Sequence, residues 1–284
     1  MTQEFDMTIL ITGGSGKTGS RIAKRLIALD QDVRVASRSN KALEGAQSVQ
    51  FSWYDKATFA AAVEGVKSVY LLAPANDAEP LNAMKPFIDY MLAHGVKRFV
   101  LLSASSLPKG GVMMGAVHAY LEQVAPEWAV LRPTWFMQNF SEQQHLHTIK
   151  DSGCFYSATD NGKVPFIDVN DIANVAVEAL IGDDILNRDL ILTGPQSISY
   201  DEVANILTQV IGRQVKHVKL SEQELITRFV ESGMEDIYAQ ALAKMDTAIS
   251  KGSEDMISEE VVNMTQIAPT RFNIFAKSAV KAWL

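Results

Sequence analysis

The chain has 284 residues, of which 47% are hydrophobic and 21% charged, with a net charge of −7 and a pI near 5.3. This balance suits one large α/β domain, or a core domain with a smaller lobe; lacking a Lys/Arg stripe, it argues against nucleic acid as a direct partner. No apolar run approaches the ~20 residues of a membrane span, the single Cys154 excludes an internal disulfide, and no charged-then-apolar leader precedes the first strand, so a cytoplasmic location is expected.

The first element is the most informative. Met7 to Gly19 reads M-T-I-L-I-T-G-G-S-G-K-T-G. A short apolar run (Ile9, Leu10, Ile11) stops at Gly13, Gly16 and Gly19, and a helical pattern with Ile22, Ala23, Leu26 and Ile27 on one face follows. Strand, glycine turn and helix start build a pyrophosphate pocket. The glycines let the backbone turn and approach the ligand, and the helix N-terminus offers unpaired N–H groups and a positive dipole end. Ser15, Lys17 and Thr18 complete the expected cofactor loop. The spacing is G-x-x-G-x-x-G, which does not meet the G-x-x-x-x-G-K-[ST] of a P-loop.

Residues 33–38 (V-R-V-A-S-R) read as a second strand, and a third at 48–53 precedes a helix over 58–63. An acid at the end of the second strand would bind the ribose hydroxyls of NAD. Here no Asp or Glu lies between Asp32 and Glu44, while Ser37, Arg38 and Ser39 stand where a 2′-phosphate would lie. The Arg38 fork matches phosphate geometry, so NADP is the expected cofactor. Asp55 either accepts from the adenine amino group or caps the helix that follows it.

Residues 68–73 form a buried parallel strand that leaves Leu72, Ala73 and Pro74 at its end, to line the middle of the cofactor. A helix over 80–94 ends at Gly95. Buried strands follow at 98–103 and 129–132, with Ser103 expected beside the nicotinamide. Alternating strands and helices predict a Rossmann-type α/β fold, a doubly wound parallel sheet with ligands at the carboxyl ends of its strands. After about residue 138 helices dominate, at 171–181, 200–211, 223–230 and 275–284, and 189–193 reads as a strand returning to the main sheet. The expected organisation is an NADP-binding domain over 1–150 and a smaller, mostly helical substrate lobe over 151–284, with the substrate cleft between them. The polar stretch 250–260 reads as a solvated connection or a lid. Cys154 is read as inert rather than reactive, and no metal is expected.

The glycine turn, the L-L-A-P and L-L-S-A-S strand ends, L-R-P-T-W-F-M-Q-N-F (131–140) and P-F-I-D-V-N-D-I-A (165–173) together resemble the NmrA-like branch of the atypical short-chain dehydrogenases/reductases. Within it the chain is similar to the festuclavine/agroclavine dehydrogenase type of ergot alkaloid pathways, and to quinone-reductase members. The resemblance covers nearly the whole chain and implies an NADPH-dependent oxidoreductase. Most short-chain dehydrogenases carry a serine and a Tyr-x-x-x-Lys helix whose lysine lowers the tyrosine pKa. This chain departs from that pattern, because Tyr120 is followed four residues later by Val124.

Candidate catalytic groups are therefore His118, Tyr120 and Ser103. His118 and Glu122 share a helix face and form either a histidine oriented by its glutamate, as in the quinone-reductase members, or a plain surface pair. Without a Tyr–Lys pair, the fitting acceptors are those that need no proton donor: a cyclic iminium, or a quinone that collects its proton from water. Trp135, Phe136 and Phe140 supply either an aromatic platform for such a planar substrate or core packing. Asn139 holds substrate or caps a helix. The alternative is a non-catalytic NADP-binding redox sensor that acts through a protein partner, as the resemblance to NmrA implies.

Overall fold

The computed structural model describes residues 8–39, 42–75 and 77–284, so Met7 and the N-terminal stretch read for a leader lie outside the described residues. Strand β1 (Thr8–Thr12) leads to helix α1 (Lys17–Ala28), β2 (Val33–Ser37), β3 (Gln47–Gln50), α2 (Phe59–Val63) and β4 (Val66–Leu71). Then come α3 (Pro80–Ala93), β5 (Arg98–Leu102), α4 (Met114–Val124) and β6 (Glu127–Pro133). Next are α5 (Leu146–Ser152), β7 (Cys154–Ser157), β8 (Lys163–Val164), α6 (Val169–Ile181) and β9 (Arg188–Leu192). The chain continues with β10 (Ile198–Ser199), α7 (Tyr200–Ile211), β11 (Lys216–Lys219) and α8 (Glu222–Glu231). It closes with α9 (Asp236–Ser250), α10 (Glu260–Thr265) and α11 (Phe272–Ala279). By internal packing it divides into two compact units, Met1–Arg132 with Ile172–Ile191, and Pro133–Asp171 with Leu192–Leu284.

The first unit is built on a sheet of strand order β3-β2-β1-β4-β5-β6-β9, with parallel pairing from β3 through β6. All five residues of β1 are buried, as they must be where helices cover both faces. The order reverses at β1, so a crevice opens at the carboxyl ends of β1 and β4. Thr12 pins that edge. Its hydroxyl donates to the Tyr70 carbonyl at 2.9 Å and accepts from the Leu72 N–H at 2.8 Å. One face of the sheet is packed by Phe51, Phe59 and Phe87, with ring centroids 4.5 Å (Phe51–Phe87) and 4.7 Å (Phe59–Phe87) apart. This is the Rossmann-type doubly wound sheet that the strand–helix alternation predicts, and β9 joins it beside β6.

The second unit packs around Phe140, which is fully buried against Phe155, Phe166, Tyr200 and Phe272. The Trp283 indole N–H closes this core on the Phe140 carbonyl at 2.7 Å. Helix α7 starts from a capping box of Ser199 and Glu202 and ends at Gly212, whose φ of 79° favours glycine. Helix α9 is an element the sequence reading does not contain; it packs on α8 through Leu225, Phe229, Ala239 and Ala243. The stretch 251–259 is a pinned connection: Ser197 donates to Asp255 at 2.6 Å, the Ser258 N–H donates to Thr193 Oγ1 at 3.0 Å, and Glu254 is buried.

Candidate functional site

At the end of β1 the chain turns on Gly13, with φ of 64°. Its N–H donates to the Ala36 carbonyl at 3.1 Å, and its carbonyl accepts from Gly16 N at 2.8 Å. The glycines have separate jobs. A Cβ on Gly19 would stand 2.5 Å from the Gly13 carbonyl oxygen, and one on Gly16 3.1 Å from the same atom. A Cβ on Gly14, a position outside the motif spacing, would stand 2.2 Å from Val35 Cγ1. Close packing of the turn against α1 and β2 thus requires glycine at 14 and 19, and the tight turn requires it at 13. Gly16 is the N-cap of α1, and no side chain caps that helix end, which leaves it to a ligand anion. Ser15 is exposed and Lys17 half-buried at the turn. Thr18 is buried, and its hydroxyl accepts from Tyr70 at 2.9 Å, so its side chain packs and only its backbone can face a phosphate.

Two buried hydroxyls flank the crevice. Ser37 ends β2, beside β1, and Ser103 follows β5, beside β4. Among the described residues neither Oγ has a hydrogen-bond partner. A native interior rarely leaves such atoms orphaned, and both sit where a dinucleotide in the crevice would run, so the residues fit that cofactor. Arg38 is exposed next to Ser37. Asp55 accepts from the Ala57 N–H at 3.0 Å and caps a short 3-10 turn. Leu72, Ala73 and Pro74 are half-buried after β4, with the Leu72 side chain against Gly13.

Helix α4 departs from two expectations. Glu122 does not orient His118: it is ion-paired with Lys109 at 3.0 Å, whereas His118 is buried with Nδ1 unpartnered, its ring 5.5 Å from that of Trp128. The two share a helix side, but a salt bridge draws the carboxylate outward while the imidazole turns into the core. Burial first, then the charge of Arg132, moves the His118 pKa down against the opposing pull of Asp189, so the ring is neutral at neutral pH. Arg132 is itself held by Asp189 at 2.6 Å and by the Ser105 carbonyl at 2.8 Å.

Tyr120 faces α3. Its hydroxyl donates to Asp89 and accepts from Lys85 Nζ at 2.9 Å. The lysine missing at position 124 is thus replaced in space by one on another helix, but not in effect. Desolvation, then the bond to Asp89, raises the Tyr120 pKa. Its hydroxyl thus ties α4 to α3.

In the second unit, Phe140 is core and offers no platform. Trp135, Phe136 and Asn139 are half-buried in the segment that directly follows β6. Trp135 packs on the Phe140 core, and the Phe136 carbonyl accepts from Asn139 N at 3.1 Å. This unit also holds a chain of side chains with the look of a catalytic triad. Ser157 Oγ lies 2.7 Å from His217 Nε2, and His217 Nδ1 lies 2.8 Å from Asp201. Ser157 is 1% exposed and also bonded to Thr159, so no substrate reaches it and the chain staples β7, β11 and α7 together. Residues 157, 201 and 217 carry no local motif, which is why reading along the sequence misses them. Among the described residues no three His, Cys, Asp or Glu side chains converge to hold a metal, and no helix is long and apolar enough to cross a membrane.

Residues 6–273 match the model of the NmrA-like family. The chain is 42% identical over 275 residues to the uncharacterized oxidoreductase YesF of Bacillus subtilis, covering 97% of this chain and 96% of that one. It is 42% identical over 286 residues to the agroclavine dehydrogenase of Claviceps purpurea, covering 98% and 99%. In fold it is similar to an NADPH-dependent quinone oxidoreductase of Escherichia coli solved with NADPH, with a TM-score of 0.81 at 21% identity over 95% of this chain and 99% of that one.

Proposed function

The chain belongs to the NmrA-like family and is an oxidoreductase, and from that premise we propose that it passes a hydride from NADPH to a small planar acceptor, a quinone or a cyclic iminium. The observation that carries the reading is the pair of orphaned hydroxyls, Ser37 and Ser103, on either side of the β1–β4 crevice. Relatives named as a dehydrogenase and a quinone oxidoreductase support it.

The nicotinamide supplies the hydride when bound. The chain binds and orients. The turn from Gly13 to Gly19, with Ser15, Lys17 and the first-turn N–H groups of α1, receives the pyrophosphate. Ser37 donates to the 2′-phosphate and Arg38 forks it; Asp55 takes the adenine edge with its remaining oxygen. Leu72, Ala73 and Pro74 exclude water along the middle, and Ser103 hydrogen-bonds at the nicotinamide end. His118 enters only as a neutral hydrogen-bonding group. With Tyr120 tied to α3, no side chain of α4 supplies an acidic proton. An iminium becomes a neutral amine without one, and a quinone takes its proton from water.

The test is NADPH oxidation against quinones, cyclic iminium salts and simple aldehydes. Turnover of a quinone or iminium at rates well above aldehydes is expected; aldehydes alone, or nothing, overturns the reading. Arg38→Ala should weaken NADPH at least ten-fold, from the roughly 1.5–3 kcal/mol of a charged hydrogen bond, and leave NADH unchanged. Equal loss of both in a fluorescence titration would remove Arg38 from the site.

A further inference from the structure

Within the second unit, α5, β7 and α8 enclose a pocket of about 340 Å³ that the hydride-transfer reading does not use. Its lining includes His145, Thr148, Tyr156, Arg228, Phe229 and Glu231. His145 is 95% buried, being 5% exposed. Its imidazole is stacked on Phe140 with ring centroids 4.9 Å apart and lines the pocket. The Arg228 guanidinium carbon lies 3.6 Å from the centroid of the Tyr156 ring. That stacking uses its face and leaves the N–H edge open, and among the described residues no carboxylate or carbonyl takes it. Glu231, one turn further along α8, lines the same pocket, is exposed, and makes no ion pair with Arg228.

A cation held flat by an aromatic ring, with its fork unspent, is arranged for bidentate recognition of a carboxylate. The His145 imidazole in the pocket wall offers ring nitrogens to which a polar ligand atom can hydrogen-bond. Tyr156, Phe229 and the Phe140-backed imidazole give apolar faces, and the volume lies at the small end of ligand pockets. We propose that this pocket binds a small aromatic carboxylate, its carboxylate on the Arg228 edge, its ring beside Tyr156 and Phe229, and a polar atom on His145. Burial pushes the His145 pKa down to about 3, so this imidazole stays neutral and offers one donor and one acceptor without competing for the anion. Glu231 is the like charge that such a ligand meets at the pocket, and it limits the affinity.

The probe is 2-naphthoate, titrated calorimetrically into the full chain without nucleotide, so that failure here leaves the hydride-transfer reading untouched. Saturable binding is expected, at least ten-fold tighter than for 2-naphthamide, which has the same ring and no charge. Arg228→Gln should weaken it at least ten-fold, and Glu231→Gln should tighten it several-fold. Absence of saturable binding at millimolar naphthoate, or equal affinity for acid and amide, overturns the proposal. The exposed Glu231→Gln variant keeps the test decisive should Arg228→Gln disturb α8: unchanged or weaker binding in it also counts against the site.

Discussion

Gly19→Ala separates the packing of the glycine turn from its ligand role. The added Cβ would lie 2.5 Å from the Gly13 carbonyl oxygen and 3.0 Å from both the Gly13 carbonyl carbon and Gly14 Cα. All three are backbone atoms of the turn itself, so none can rotate away and the turn must move by about 0.9 Å or more to bring the 2.5 Å approach to the 3.4 Å of ordinary contact. Overpacking of this kind costs about 1–3 kcal/mol, which in a chain of this size lowers Tm by roughly 2–12 °C. The same displacement would lengthen the hydrogen bonds that this turn donates at the proposed pyrophosphate site. Losing one charge-assisted bond, at about 1.5–3 kcal/mol, weakens NADPH roughly ten- to a hundred-fold. Gly95→Ala is the matched control. Its φ is 83° and nothing lies within 4 Å of the new Cβ, so strain alone costs about 1–2 kcal/mol. Thermal melts should show both variants destabilised, and a fluorescence titration should show only Gly19→Ala losing NADPH. Wild-type affinity in Gly19→Ala would refute the reasoning, as would equal losses in the two variants.

Ser37→Ala should act with opposite signs on two readouts. Removing a buried hydroxyl without a partner relieves about 1–3 kcal/mol of desolvation, raising the Tm of the free protein, while NADPH binds more weakly; a fall in both would show that the hydroxyl is satisfied within the protein. Tyr120→Phe should leave turnover within about two-fold and stability within about 0.5 kcal/mol, as for a surface substitution, and a large fall in kcat would restore Tyr120 as a catalytic residue. Asp246, buried with one N–H donor from Ala158 at 3.1 Å, has its pKa raised by desolvation to about 7. The native state therefore holds a proton that the unfolded state releases near pH 4, so stability falls as pH rises from about 4 and levels off above about 7, by about 4 kcal/mol in all. Asp246→Asn keeps the acceptor and loses the titration; its Tm advantage over the wild type should widen from pH 5 to pH 8, and a constant gap would contradict the assignment.

The inner strands were legible because each carries a short apolar run ending at turn residues, as at 99–102 and 69–71, although β4 starts at Val66, two residues before the strand read at 68–73. Helix α9 was not, because its inward stripe is Ala239, Ala243, Asp246 and Ile249. Two alanines and a buried acid carry almost no hydrophobic signal. Strand β11 reads Lys-His-Val-Lys and hides for the same reason. In the candidate site, the glycine turn and the strand-end serines could be placed because position after a strand fixes them. His118 and Glu122 could not, since helical spacing says which side chains are neighbours and not which of them Lys109 will pull to the surface. Gly14 could have been found by asking which glycine faces β2 rather than which ones match a spacing.

The place of β9 beside β6 bears on how the chain is made. A ribosome releases β1 to β6 first, then residues 134–187, about 54 residues of which some two thirds belong to the other unit, and only then the strand that completes the sheet. Until residues 188–192 emerge, β6 is an open edge with a row of unpaired N–H and C=O groups, the kind of edge that templates aggregation. At about 5–20 residues per second that interval lasts several seconds. During it the nascent chain needs Arg98, Trp128 and Arg132, which later dock onto Gly182, Asn187 and Asp189, to stay shielded by something other than their final partners.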